Sequence, residues 1–292
     1  VRVPELLARS VTTYGGQAWL SALPDLVASL ADDWSLTVGE SYEPGGVTAL
    51  ALRVRCSDGT PAVLKVRYPD DDEPVAEGAA LRHFGGHGAV ALLAEDEPRT
   101  ALLLERCDPG TALSDEPDDE CARVVATLLG ELWSAAPEGD AYERLSVRAA
   151  RWIESIEAAR EFDAGLRDEA LGVLRDLAVV ADEDAVVLHG DLHAANVLRA
   201  AREPWLAIDP KGRAGDRTYD CAALLRDRAT AETVPRPFAI VREVLGVDAA
   251  RVRGWALAQA VEGAVWSYRF GDVAGGDEFA AAARLIALLP RG

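Results

Sequence analysis

Apolar positions near the start of the chain recur at helical spacing. Trp19, Leu20, Leu23, Leu26, Val27 and Leu30 fall on one stripe, so residues 1–35 read as helical. The texture then changes to that of strands. Ser35–Val38 leads to the turn Glu43-Pro44-Gly45-Gly46, and Val47–Val54 forms a second strand. Ser57-Asp58-Gly59-Thr60 turns the chain into a third, Pro61–Val66. A helical pattern from about Pro74 to Phe84 precedes two short strands, Val90–Leu93 and Thr100–Leu104. Together these predict a small antiparallel sheet with one helix inserted.

After Cys107-Asp108-Pro109-Gly110 the pattern is mostly helical, with helices near 118–135, 146–161 and 163–180. A strand, Ala185–Leu188, runs into a polar loop. A hairpin follows, Asn196–Leu198 and Trp205–Ile208, and Tyr219 to Leu289 reads as helices again. The acidic runs 70–73 and 115–120 read as solvated loops.

Composition narrows the function classes. Of 292 residues, 49% are hydrophobic and 27% charged, enough apolar material for a sizeable core. Thirty basic against 49 acidic residues give a net charge of −19. Such a surface repels phosphate backbones and anionic lipid, and it attracts a cationic small molecule instead. The charge-free stretch Ser10–Pro24 is too short and too polar to span a bilayer. Val1-Arg2-Val3-Pro4-Glu5 lacks the pattern of a secretory signal. Cys56, Cys107, Cys121 and Cys221 are far apart without metal or redox spacing, so reduced thiols and a cytoplasmic location are expected. Of the 30 basic residues only two, Lys65 and Lys211, are lysine. A chain that avoids lysine elsewhere keeps it where arginine does not substitute.

The candidate chemistry centres on Leu188-His189-Gly190-Asp191-Leu192-His193-Ala194-Ala195-Asn196-Val197-Leu198. An Asp and an Asn in the pattern D-x-x-x-x-N, on a loop between strands, suit phosphoryl transfer. One carboxylate accepts or orients the proton of an attacking hydroxyl, and an amide oxygen further along reaches a metal. Asp209, at the end of the next strand, is the expected second ligand, since a hairpin would return it beside the loop. A positive group is also needed on the phosphates. Lys65 sits in an apolar strand, where a lysine is costly unless paired, and Glu77 on the following helix is the candidate partner. The alternative for Lys65 is a snorkelling edge-strand side chain. The Gly45-Gly46 turn could let backbone approach phosphates, although most such pairs are plain turns.

The order Gly-Gly turn, Lys65, Glu77, His189-x-Asp191-x-x-x-x-Asn196 and Asp209 resembles the kinase-like fold. Gly190 after His189 and Pro210 after Asp209 resemble the aminoglycoside phosphotransferases rather than protein kinases. Arg202–Gly212, with Leu102–Arg106 and Gly215–Asp220, is similar to the streptomycin 6-phosphotransferase and hydroxyurea phosphotransferase family. The resemblance implies an α+β, bilobal protein-kinase-like fold. Residues 1–35 would be a helical extension, 36–107 a small antiparallel-sheet lobe, and 108–292 a mostly helical lobe. It implies ATP and Mg²⁺ as cofactors and transfer to a hydroxyl of a small acceptor, most simply a cationic aminoglycoside of the streptomycin type; hydroxyurea or an amino sugar is the alternative. A monomer is favoured, without nucleic-acid or membrane partners.

Carried over residue by residue, Asp191 would be the catalytic base and Asn196 and Asp209 the Mg²⁺ ligands. Lys65 would meet the α- and β-phosphates and be held by Glu77. The Glu105 carbonyl and the Cys107 amide at the hinge would meet adenine. His189 and Asp220 would brace the loop. Separately, for a cationic acceptor the acidic residues Asp216, Glu262 and Asp272, with Asp277 and Glu278, are the candidates to meet its charges. His193 reads as a packing or loop residue or as a substrate contact, and Lys211 as a carboxylate or phosphate partner. Only ten residues separate Asp209 from Asp220, which leaves no room for a phosphorylated activation segment and argues against a protein substrate. Two other readings stay open: His189, Asp191 and His193 as zinc ligands of a hydrolase, and a nucleotide-binding relative that has lost transfer.

Overall fold

The computed structural model describes residues 1–69, 76–134, 136, 141–226, 229–230 and 232–291. The acidic run 70–73 and the expected helix start at Pro74 lie outside them. The N-terminal helical pattern resolves into two helices, α1 (Glu5–Thr13) and α2 (Gln17–Asp33), broken by a turn at Tyr14–Gly16. Strands β1 (Thr37–Ser41), β2 (Ala49–Arg55) and β3 (Pro61–Arg67) follow, then helix α3 (Glu77–Phe84) and strands β4 (Leu92–Asp96) and β5 (Ala101–Glu105). They form one antiparallel sheet in the order β1-β2-β3-β5-β4.

Strand alternation divides the sheet's side chains between two cores. Leu50, Leu52, Leu64 and Val66 face Leu7, Val11, Leu23, Val27 and Leu30 of α1 and α2. Each buried aliphatic chain there contributes roughly 1.5–3 kcal/mol. Leu102 and Leu104 point the other way and join the core of the helical lobe. Lys65 is paired in register with Leu102, so it shares that inward face. Position in the pleat is therefore what aims Lys65 at the second lobe.

The expected strand at Val90–Leu93 is displaced, and β4 begins at Leu92. The reason is a competing partner: the Val90 N–H donates to the Ala207 carbonyl and the Ala207 N–H to the Gly88 carbonyl. Residues 88–90 are thus bonded to the opposite lobe. On that hairpin's other strand, Arg199 exchanges backbone bonds with the 110–111 segment. The hairpin is a strut that both chain segments near the lobe boundary grip.

The larger lobe starts with α4 (Asp118–Leu132), a short strand β6 (Glu143–Arg144), and helices α5 (Leu145–Ala158) and α6 (Ala164–Val180). Strands β7 (Val186–Leu188), β8 (Val197–Arg199), β9 (Trp205–Ala207) and β10 (Arg213–Gly215) come next, then α7 (Cys221–Arg226), α8 (Pro235–Leu245), α9 (Ala249–Arg269) and α10 (Val273–Ala287). Asp118, Asp119 and Glu120, read from sequence as part of a loop, form the first turn of α4, where carboxylates complement the helix dipole. Helix α9 is buried almost all round among α6, α7 and α10. The small sheet β6-β10-β7 sets the starting point of the loop that begins at His189, with β10 parallel to β6 and antiparallel to β7. Its three-residue strands carry too little pattern to be foreseen. All four cysteines are free, and no helix among the described residues is long and apolar enough to cross a membrane.

Candidate active site

β7 ends at Leu188, and the next residue, His189, is fully buried. Its Nδ1 accepts the Asp191 N–H at 3.3 Å, so Nε2 is the protonated nitrogen and donates to the Ile208 carbonyl at 2.9 Å. Burial holds the imidazole neutral and pushes its pKa down to about 4. Asp220 receives the N–H groups of His189 (3.0 Å) and Gly190 (2.7 Å) and the Trp133 indole N–H (3.2 Å). Burial raises Asp220 to about 6 against the pull of these donors. Both residues brace the loop from behind. Gly190, at φ +87°, adopts a left-handed conformation that favours glycine, and a Cβ there would crowd the Lys211 Cβ at 3.2 Å.

This bracing predicts a pH signature. His189 has its pKa lowered on folding, so its stabilisation is complete above pH 6.5 and is lost as pH falls through about 4. Asp220, raised on folding, stabilises most at acid pH and loses that contribution as pH rises through about 6. In His189→Gln only the second trend survives. Thermal unfolding across pH 4–8 should show the wild type's advantage over His189→Gln at pH 7 shrinking by roughly 3 kcal/mol towards pH 4. A constant difference would contradict the neutral buried imidazole.

The β8–β9 hairpin pairs Val197 with Ala207, and the Ile208 N–H donates to the Asn196 carbonyl at 2.9 Å. Asn196 and Asp209 therefore flank the hairpin's open end. Asp209 adopts φ +60°, a left-handed conformation that Asp tolerates better than most residues. Its Oδ1 meets the Lys65 Nζ at 2.5 Å and its Oδ2 the Lys211 Nζ at 2.9 Å. The Lys65 Nζ also reaches both Glu77 oxygens at 2.7 Å. Burial favours the neutral amine of Lys65, but Asp209 and Glu77 outweigh it and hold Lys65 firmly charged. Burial likewise opposes ionisation of Asp209, and Lys65 and Lys211 overcome it, keeping that carboxyl well below its usual range. For Glu77 burial wins over Lys65 and raises its pKa. Helix α3 is docked on the same loop: the Ala76 N–H donates to the Lys211 carbonyl, and Gly212, at φ +62°, lies where a Cβ would come within 2.6 Å of the Ala76 oxygen.

Asn196 donates its amide to the Asp191 carbonyl at 3.0 Å, which leaves the amide oxygen as the atom that could meet a metal. With the Asp209 carboxylate it makes a pair of hard oxygen donors, the kind that suits Mg²⁺ alongside phosphate oxygens. The residues present thus fit the expected ion. Asp191 Oδ1 takes the Arg226 Nη2 at 2.5 Å, while Oδ2 lies 3.9 Å from the His193 Nε2. Burial would raise the Asp191 pKa, but Arg226, His193 and Lys211 lower it. Asp191, Lys211, Arg213, Arg226, Gln259 and Glu262 line one cavity. Both nitrogens of His189 are committed to backbone groups, which removes it as a zinc ligand.

Other expected residues fall elsewhere. Asp216 is buried in the helical lobe, bonded to the Arg251 Nε at 2.9 Å and the Trp255 indole N–H at 2.8 Å. Asp272 caps α10 by accepting the Gly275 N–H, Asp277 takes the Tyr268 hydroxyl, and Glu278 is exposed on the same helix. The structure does not bring Asp216, Asp272, Asp277 or Glu278 to the cavity at Asp191; of the five acidic candidates only Glu262 lines it. At the end of β5, the Glu105 side chain is forked by Arg202 at 2.9 and 3.1 Å and accepts the Ala91 N–H. Burial pushes the Cys107 thiol up to about 11. The Gly45-Gly46 turn leans on the N-terminal segment, since a Cβ on Gly45 would sit 2.8 Å from Pro4. Sequence reasoning missed Arg226, Gln259 and Trp133, which belong to no motif and are distant along the chain.

Residues 34–271 match the sequence model of the "Aminoglycoside/hydroxyurea antibiotic resistance kinase" family. The chain is 38% identical to a streptomycin 6-kinase of Streptomyces glaucescens, covering 94% of this chain and 93% of that one. It is 40% identical to a hydroxyurea phosphotransferase of Kitasatospora aureofaciens, covering 94% and 82%. Among solved structures, choline kinase LicA from Streptococcus pneumoniae superposes with a TM-score of 0.68 at 15% identity, over 91% of this chain and 99% of that one. The aminoglycoside phosphotransferase APH(4)-Ia, solved with ADP and hygromycin B, gives 0.64 at 18% identity, over 88% and 97%. These two share the fold: an antiparallel-sheet lobe on a helical lobe, of the protein-kinase-like type. Given the extent of the family match, this chain is a small-molecule kinase of the aminoglycoside/hydroxyurea antibiotic resistance kinase family.

Proposed function

We propose that this kinase is an ATP- and Mg²⁺-dependent O-phosphotransferase whose acceptor is a streptomycin-type aminoglycoside. The observation that carries the reading is the Asp209 carboxylate, held beside Asn196 between Lys65 and Lys211, with Lys211 lining the same cavity as Asp191. Bound Mg–nucleotide supplies the transferable phosphoryl group and neutralises charge on its oxygens. Asp209 and Asn196 would hold the ion. Lys65, kept charged by Glu77, is the cation for the α- and β-phosphates. The Glu105 carbonyl and Cys107 N–H, at the lobe boundary near residues 105–107, would meet adenine, and the Gly45-Gly46 turn would meet the phosphates. Asp191 accepts the proton of the acceptor hydroxyl, and positioning with charge stabilisation does most of the work. Glu262, which lines the same cavity as Asp191, would meet a cationic group of the acceptor. A cytoplasmic monomer suits a nucleotide-dependent enzyme with free cysteines.

A second acceptor, hydroxyurea, is favoured by the comparable likeness to a hydroxyurea phosphotransferase. The test is mass analysis of products after incubation with MgATP and, separately, streptomycin, hydroxyurea or an aminoglycoside without guanidino groups. Streptomycin monophosphate is expected. Product from hydroxyurea alone overturns the aminoglycoside assignment, and nucleotide turnover without any phosphorylated acceptor overturns both.

A further inference from the structure

The proton-accepting role of Asp191 leaves open how its carboxylate is oriented. Oδ1 is held by the Arg226 Nη2 at 2.5 Å. The Arg226 Nη1 in turn approaches the Gln259 Oε1 at 3.4 Å, and the Gln259 Nε2 donates to the Tyr219 carbonyl at 3.0 Å. Gln259 is buried on α9, so the far end of this relay is anchored in the rigid centre of the helical lobe. Arg226 closes α7, and Asp220, immediately before that helix, holds the N–H groups of His189 and Gly190. The backbone of this loop and the carboxylate it carries are thus oriented from the two ends of one short helix. Arg226 also lines the acceptor cavity with Asp191 and Glu262.

We propose that Arg226 is a positioning residue for phosphoryl transfer, fixing Oδ1 of Asp191 so that Oδ2 is the oxygen presented to the acceptor hydroxyl. The inference rests on the reading of Asp191 as the proton acceptor. A planar guanidinium can hold the carboxylate with one nitrogen and Gln259 with another, which an ammonium on a flexible stem does not do in the same geometry. A displacement of about 1 Å at a reacting group costs up to about a hundredfold in rate.

The test compares Arg226→Lys, Arg226→Ala and Gln259→Leu, each alone and in an Asp191→Asn background. Transfer to streptomycin is measured together with slow hydrolysis of ATP by water, which needs no identified acceptor. MgADP-induced thermal shifts report folding and nucleotide binding. The expected result is a kcat lowered about tenfold in Arg226→Lys and about a hundredfold in Arg226→Ala, with the KM for ATP unchanged. Gln259→Leu should show a smaller loss of the same kind, and millimolar guanidinium should restore part of the Arg226→Ala rate. In Asp191→Asn the Arg226 substitutions should cost nothing further, because the group they position has lost its function.

The inference is overturned by an Arg226→Ala kcat within twofold of wild type while Asp191→Asn is inactive. A loss in Arg226→Ala that tracks weakened MgADP binding or unfolding overturns it equally. An Asp191→Asn enzyme as fast as wild type sinks instead the reading of Asp191, which keeps the two failures apart.

Discussion

Asp191→Asn is expected to slow phosphoryl transfer by about a thousandfold or more while leaving MgATP binding within twofold. The substitution is close to isosteric. The Asn oxygen still accepts from Arg226, and the backbone bonds from the Asp191 N–H to His189 and from the Asn196 amide to the Asp191 carbonyl are untouched. What is lost is the second anionic oxygen, the one nearest His193, and with it a site for the acceptor's proton. Steady-state kinetics with the acceptor that the wild type uses, alongside calorimetric titration with ATP, separates the two quantities. Retention of more than a tenth of the wild-type kcat would show that Asp191 does not take the proton.

Lys65→Met should damage both stability and nucleotide use. It leaves Glu77, whose side chain is 6% exposed, facing Asp209 without the cation that separates them. Removing one partner of a buried pair costs about 3 kcal/mol or more, because the other charge stays buried without compensation. Lys211 still holds Asp209, so Glu77 is the residue that suffers. Its pKa, already raised by burial, climbs further. A carboxyl raised on folding loses stabilisation as pH rises, so the deficit should be larger at pH 8 than at pH 5. The double variant Lys65→Met/Glu77→Gln should recover most of the stability and none of the turnover. Thermal unfolding at the two pH values with ATP kinetics checks this, and a double variant as unstable as the single one would refute the charge argument.

Much of the site's chemistry was legible in the sequence because it lies in short, local patterns. Asp191 and Asn196 are fixed at one spacing on one loop, and the hairpin that carries Asp209 back to Asn196 is itself local. Lys65 stood out through composition and through its place in an apolar strand, where burial without Glu77 would be prohibitive. Asp216 shows the opposite. As an isolated acid beside the site motif it resembled an acceptor contact, yet it is consumed by Arg251 and Trp255, partners on α9 that no spacing announces. Val90 was misplaced for the same reason: its apolar run is strand-like, but its bonding partner is Ala207 in the other lobe.

By itself the sequence determined the α+β texture, the order of elements, the phosphotransfer motif and the family resemblance. These depend on periodicity and short-range covalent spacing, which a chain carries before it folds. Only the tertiary structure decided that Lys211 holds Asp209, that Glu262 rather than Asp216 or Asp272 lines the cavity, and that Arg226 holds Asp191. Each is a charged side chain whose partner is set by packing, and an ion pair forms with whichever opposite charge the folded backbone brings within a few ångströms. The lysine that composition left unexplained, Lys211, thereby acquires a place in the structure as the second cation on Asp209.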